Sequence, residues 1–143
     1  MQIVIKGRKV VKGIAEGEAL VSNNMISFLG TIDKNTGIVV ETEHDLIGKC
    51  VAGKILVYPS GKGSIGSSFR LYDLASRGLG PAGIINYKAD SVTVSGAVIA
   101  EIPLIDSLSK DSLATIKTGD FVKMNGNKGI VEVIRSKKDA TSK

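Results

Sequence analysis

The chain has 143 residues, of which 43% are hydrophobic and 23% charged; that balance excludes a disordered polymer and fits one domain with a core of its own. Aromatic residues at 4% exclude the stacking platforms of single-strand nucleic-acid binders, and no apolar run approaches the ~20 residues that cross a bilayer. The net charge of +5 is uneven, because Arg135, Lys137, Lys138 and Lys143 outnumber Asp139 near the end. Residues 136–143 therefore read as a basic, frayed, solubilising tail behind a single domain over 1–135, with neither nucleic acid nor membrane as partner. Lys6, Arg8 and Lys9 interrupt the apolar stretch that a signal peptide needs, and the lone Cys50 excludes an internal disulfide. Both point to a cytoplasmic protein in a reducing compartment.

Short β-branched runs at 2–5, 18–21 and 26–29 read as strands, as does the apolar run 54–58. Residues 65–77 read as the one main helix: Leu71, Leu74 and Ala75 form a stripe that faces a sheet, Gly78 is a stop signal, and Pro81 follows. Strands are expected again at 82–87 and 92–100, then a short helix at 111–117. The runs 120–124 and 129–134 flank Asn125-Gly126-Asn127-Lys128, a loop of hairpin length with an Asn-Gly turn signal, and read as a terminal β-hairpin. The strand–loop–helix–strand unit over 54–87 needs a crossover, so its two strands are expected to be parallel and the rest antiparallel or mixed. The fold class is α/β: one β/β/α domain, β-rich with one main helix. Its working loop follows the 54–58 strand, where open α/β sheets bind their ligands.

That loop, residues 59–68, reads Pro-Ser-Gly-Lys-Gly-Ser-Ile-Gly-Ser-Ser. Glycine lets the backbone approach a ligand, and the start of the following helix offers unpaired N–H groups and partial positive charge. Such a place suits an anion, and Lys62 adds a full charge beside it. A phosphate-binding P-loop is excluded, because Gly63 follows Gly61-Lys62 where Ser or Thr is required and Leu56 stands in place of the leading glycine. A dinucleotide fingerprint stays open: Gly61, Gly63 and Gly66 match G-x-G-x-x-G between a strand and a helix, with Asp90 as a candidate ribose-binding acid. A purely structural reading also stays open, with Ser64 as a helix N-cap. One cap explains one serine, and leaves three glycines, a lysine and three more serines without a reason.

Gly17-Glu18-Ala19-Leu20-Val21-Ser22, Ile26-Ser27-Phe28-Leu29-Gly30 and Pro59-Ser60-Gly61-Lys62-Gly63-Ser64 resemble, in that order, the small-subunit swivelling domains of the aconitase X family of dehydratases. Pro81-Ala82-Gly83-Ile84-Ile85, Gly96-Ala97-Val98-Ile99-Ala100-Glu101-Ile102-Pro103 and Gly119-Asp120 extend the resemblance over nearly the whole chain apart from the tail. Thr31 departs from it, standing where a second glycine is expected. The resemblance implies an aconitase swivel-like domain that docks, as half of a heterodimer, on a large catalytic subunit carrying an iron–sulfur cluster. It also implies a hydro-lyase of isoprenoid biosynthesis by the mevalonate pathway. That enzyme dehydrates (R)-5-phosphomevalonate, a small phosphorylated hydroxy acid, to trans-anhydromevalonate 5-phosphate. Dehydration of another hydroxy acid, such as a hydroxyproline, and a non-catalytic anion-binding module are the alternatives.

The family's serine proton acceptor carries over to Ser64 by its place in Gly-Lys-Gly-Ser, and Ser64 is expected to act as an alkoxide favoured by helix N–H groups and Lys62. Lys62, Gly61, Gly63 and Ser27 are candidate substrate contacts, with Gly30 beside Ser27. Ser67 and Ser68, three and four residues beyond Ser64, belong to the same set because a helix brings them onto its face. Arg70 turns about 240° away on a helix and is left out. The residue inventory agrees with a divided enzyme, since one cysteine and one histidine are too few for an iron–sulfur cluster. No metal ligand is assigned: Cys50 reads as core or loop filler, and His44, in the polar stretch 41–45, as a surface residue.

Overall fold

A computed structural model describes residues 2–135, so the expected tail 136–143 lies outside the described residues. Within them the chain forms β1 (Gln2–Lys6), β2 (Arg8–Val11), β3 (Ile14–Val21), β4 (Ile55–Tyr58), α1 (Gly66–Ser76), β5 (Gly83–Asn86), α2 (Ser91–Ala100), β6 (Leu104–Asp106), α3 (Lys110–Thr115), β7 (Phe121–Asn125) and β8 (Ile130–Ile134). The strands lie in the order β1-β8-β7-β3-β4-β5-β6-β2. β3 joins two kinds of pairing: its first part runs antiparallel to β7, and Ala19, Leu20 and Val21 run parallel to β4. From there β4, β5 and β6 continue in parallel, and β2 closes that side antiparallel to β6. β1 and β2 stand at opposite ends of the order yet are separated only by Gly7, so the sheet curls back toward itself.

Alternation along the strands divides the apolar residues between two cores. Ile55 and Val57 join Ile85, Ile105, Val122 and Val133 in one; Leu56 and Tyr58 join Ile84, Leu71, Leu74 and Ala97 in the other, beneath α1 and α2. The expected stripe of α1 is therefore correct in Leu71 and Leu74, both fully buried. β4 and β5 are parallel as expected, and β7 and β8 form the expected hairpin around residues 126–129.

Three expectations need correction. Residues 92–100 form a helix, α2, not a strand, so the domain has two main helices. Asp90 caps α2 by accepting from the Thr93 amide at 3.2 Å, and Glu101 ends it in the left-handed region at φ 59°. Between the caps, Thr93, Gly96 and Ala97 place small residues at helical spacing against α1. A Cβ on Gly96 would stand 3.0 Å from Ser68 Cα, so the absence of a side chain sets how closely the helices meet. That packing overrides the β-preference of Val92, Val94, Val98 and Ile99. Residues 26–29 are not a strand either: Ile26 makes a single parallel bridge to Gly61, and a turn follows, with the Thr31 amide donating to the Ser27 carbonyl at 2.7 Å. The third correction adds β2 and β6, which are too short to show a period in the sequence.

Two buried carboxylates pin the sheet to its surroundings. Asp106 is completely buried; Arg8 donates to it from Nε and Nη2 at 2.8 Å each, and the Ala89 amide at 2.9 Å. Asp120 receives Arg135 Nε at 2.8 Å, Arg135 Nη2 at 2.6 Å and the Lys117 amide at 2.9 Å. Burial by itself pushes both carboxyls up, but the guanidinium and amide donors outweigh it and hold both below the ordinary carboxylate range. A lowered folded-state value means that the unfolded chain binds the proton more readily, so this stabilisation is complete above the ordinary value and fades as pH falls below it. Arg135→Met is expected to lower the unfolding free energy at pH 7 by about 2 kcal/mol. In urea titrations the gap from the wild type should close below about pH 4; an undiminished gap at pH 3 would contradict this account of Asp120.

Candidate functional site

The loop between β4 and α1 is held from beneath and from one side. Asp90 Oδ1 accepts from the Gly61 amide at 2.9 Å, and the Ile26 carbonyl accepts from the Lys62 amide at 3.1 Å. Gly61 is buried so closely against Asp90 and Thr93 that any side chain there would collide with them. Further along, Gly63 adopts φ +111°, and a Cβ on it would stand 2.8 Å from Ser27 Oγ and 3.1 Å from Ser67 Oγ. Both glycines serve the approach of protein to protein. Below the loop, Phe28 and Tyr58 meet edge to face with ring centroids 6.4 Å apart.

α1 begins with no side-chain cap and no acidic residue in its first turn. Its first backbone bonds run from the Ser67 amide to the Ser64 carbonyl at 2.9 Å and from the Ser68 amide to the Ile65 carbonyl at 3.0 Å. Among the described residues no protein acceptor takes up the amides of Gly63, Ser64, Ile65 and Gly66, nor any partner the Ser64 hydroxyl. Ser64 is therefore not an N-cap: its hydroxyl is exposed, at the positive end of a helix and amid free amides. This arrangement can receive an anion or stabilise charge on the serine oxygen.

The other candidate residues fall into distinct places. Ser27 and Ser67 share a hydrogen bond at 2.8 Å between their hydroxyls, and the Gly30 amide donates to Ser27 Oγ at 3.3 Å. Ser27 thus lies beside the loop, joined to α1 through the largely buried Ser67. Ser68 faces away; its hydroxyl donates to the Val92 carbonyl at 2.6 Å and ties α1 to α2. Lys62 does not point its charge at Ser64 alone, because its ammonium sits 2.7 Å from Glu41 Oε2. Arg70 Nη1 donates to the carbonyls of Leu29 at 3.2 Å and Ile32 at 3.4 Å, which fixes the 27–32 turn and keeps the guanidinium with the backbone. Asp90 serves both Gly61 and the cap of α2, and no ribose-binding acid is left for the dinucleotide reading.

Glu41 was not legible as a site residue. It lies 21 residues before Lys62, and nothing in the local pattern couples the two. His44, expected at the surface, is buried: its Nε2 donates to the Met25 carbonyl at 3.0 Å, and Nδ1 accepts from the Leu46 amide at 3.1 Å. Both ring nitrogens are used within the protein, which makes the nearby Asp45 carboxylate a neighbour and not an ion-pair partner. Cys50 Sγ donates to the Thr36 carbonyl at 3.6 Å in the loop before β4. Among the described residues no group of three or more His, Cys, Asp or Glu could hold a metal ion. The chain does not fit an iron–sulfur cluster.

The surface around Ser64 is apolar and open. Ile65 is 61% exposed and Phe69 64%, with Tyr72 one turn further along α1 and Leu29 packed against Gly66. A cavity of about 610 Å³ lies elsewhere, between the ends of β3 and β4 and α3, lined by residues that include Asn23, Tyr87, Leu113 and Lys117. It reaches the serine loop only through Pro59. The loop by itself encloses no small molecule, so chemistry at Ser64 needs a second surface above it. No helix among the described residues is long and apolar enough to cross a membrane.

Two helices, α1 and α2, pack on one face of the sheet, and this chain belongs to the aconitase X swivel domain family, whose profile matches residues 4–133. Its relatives are more particular. It is 47% identical over 135 residues to the phosphomevalonate dehydratase small subunit of Methanosarcina acetivorans, covering 94% of each chain. To the protein of the same name in Pyrococcus furiosus it is 45% identical over 130 residues, covering 91% of this chain and 95% of that one. Among solved structures, the holo-form of Thermococcus kodakaraensis aconitase X is similar with a TM-score of 0.88 at 41% identity, over 93% of this chain and 99% of that one.

The close approach of Gly63 to two serine side chains yields a direct check. Gly63→Ala places a Cβ in a left-handed conformation and against Ser27, and is expected to cost about 1–3 kcal/mol of stability. Denaturant unfolding of the variant measures it. A cost below a few tenths of a kcal/mol would mean that the loop relaxes freely.

Proposed function

We propose that this chain is the small subunit of a phosphomevalonate dehydratase, removing water from (R)-5-phosphomevalonate to give trans-anhydromevalonate 5-phosphate together with a large subunit. The observation that carries the reading is the exposed Ser64 hydroxyl, set without a protein partner at the start of α1. The names of the relatives over nearly the whole chain point the same way. On this reading residues 1–135 are the swivelling domain, and an iron–sulfur cluster belongs to the large subunit, since among the described residues no group of side chains could hold a metal.

Ser64 takes the proton on the carbon next to the substrate carboxylate. A serine hydroxyl is far too weak an acid to ionise in water at neutral pH, so its anion has to be favoured by its surroundings. The free amides of Gly63, Ile65 and Gly66 and the positive end of α1 supply that field, which strengthens once a partner surface excludes water. Ser27 and Ser67 hold the loop from the side, and Gly61 from beneath. Lys62, paired with Glu41, borders the entrance through which a substrate with two anionic groups, carboxylate and phosphate, arrives. The substrate's hydroxyl leaves on the large-subunit side.

Docking of the large subunit over the loop accounts for the exposed apolar residues beside it, since an apolar patch of this kind marks an interaction surface. Phe69→Glu is expected to weaken assembly at least tenfold while the chain stays folded, as read by analytical ultracentrifugation of the mixture with the large subunit. Unchanged assembly would move the interface off α1.

The central test is turnover of (R)-5-phosphomevalonate by the chain alone and after anaerobic mixing with a cluster-loaded large subunit. Turnover is expected only in the mixture, falling by about 10³-fold or more in Ser64→Ala with assembly intact. A stable, loaded complex that leaves phosphomevalonate untouched would overturn the substrate assignment, with another hydroxy acid next in line. Full turnover in Ser64→Ala would remove the serine from its role.

A further inference from the structure

The loop that carries Ser64 is gripped by residues far from it in sequence. Glu41 uses both carboxylate oxygens: Oε2 receives the Lys62 ammonium at 2.7 Å, and Oε1 receives the Thr31 hydroxyl at 2.6 Å. The same Thr31 oxygen accepts from the Ser27 amide at 3.0 Å. Thr31 has no exposed surface at all, and its carbonyl accepts from the Val40 amide at 2.8 Å, which anchors it to the residue just before Glu41. From Ser27 the chain of contacts continues to Ser67 Oγ at 2.8 Å and to the space that Gly63 leaves open. Ser64 is thus bracketed: Glu41 reaches Lys62 two residues before it directly, and reaches Gly63 and Ser67 on either side of it through Thr31 and Ser27.

We propose that Thr31 and Glu41 are positioning residues for Ser64, forming a clamp that fixes Lys62 and the 27–31 turn against the two sides of the serine loop. The proposal rests on the reading of Ser64 as proton acceptor. Hydrogen bonds from Lys62 and from Thr31 hold Glu41 below its ordinary range, so it is ionised at neutral pH and keeps both contacts. The clamp also gives a reason for threonine where the family resemblance leads one to expect glycine. Position 31 supplies a hydroxyl that glycine lacks, and with it the link between the carboxylate and the turn. The ion pair further fixes the Lys62 ammonium beside Glu41 at the edge of the loop. Misplacement of a reacting group by about 1 Å costs on the order of 100-fold in rate, so the clamp acts on turnover more than on binding.

The test uses the full chain assembled with its large subunit. Glu41→Gln is expected to lower kcat roughly 10- to 100-fold with KM changed less than about threefold. Thr31→Val should follow it, and Thr31→Ser, which keeps the hydroxyl, should restore most of the lost turnover. The double variant Glu41→Gln/Lys62→Met should be no worse than the poorer single variant, because residues acting as a unit are not additive. In the chain alone, hydrogen exchange of the Lys62 amide should speed up in Glu41→Gln. Turnover within twofold of wild type in Glu41→Gln, where Ser64→Ala is inactive, overturns the clamp, as does a Thr31→Ser variant no better than Thr31→Val. An active Ser64→Ala enzyme overturns instead the reading on which the clamp rests; the exchange measurement, which needs no turnover, still decides whether Glu41 orders the loop.

Discussion

Hydrogen bonds from Gly61 to Asp90 and from Lys62 to Ile26 seat the serine loop on the body of the domain, and the reactive features of the chain depend on them. They satisfy the amides of Gly61 and Lys62. The four that follow, Gly63 to Gly66, and the Ser64 hydroxyl have no protein partner among the described residues, at the start of a helix that has no acidic residue in its first turn. Unsatisfied donors are costly when buried and useful when exposed to an arriving anion. The fold concentrates them at one point, the start of α1.

The same economy holds for the other reactive side chains of the domain. Its single histidine is locked between two backbone groups and its single cysteine donates to a carbonyl. What stays free is the Ser64 hydroxyl at the start of α1, on a surface bordered by Leu29, Ile65, Phe69 and Tyr72. A partner that covers this surface excludes water and strengthens each charge–dipole interaction at the loop.

Close helix packing supports the loop from behind. α1 and α2 meet where Gly96 lets the Ser68 backbone approach, and Ser68 returns a hydrogen bond to Val92. The N-cap of α2 is Asp90, the same residue that holds Gly61. A change in how α2 packs would therefore reach the serine loop through one side chain. The loop's shape and the helix layer are one mechanical unit, with the 27–32 turn fastened to it by Arg70.

The sequence by itself determined the helix α1, the terminal hairpin, the parallel pair β4 and β5, and a serine–glycine loop between strand and helix. Turn residues, apolar periods and capping signals act over a few positions, so a linear reading reaches them. Only the tertiary structure decided that residues 91–100 are helical, since the deciding contact is with α1 and not within the segment. It also separated Ser64, with a free hydroxyl, from Ser67 and Ser68, whose hydroxyls are taken by Ser27 and Val92. The pairing of Lys62 with Glu41 and the burial of His44 were hidden for the same reason. Which polar groups stay free depends on partners brought close by the fold, and sequence distance carries no record of that.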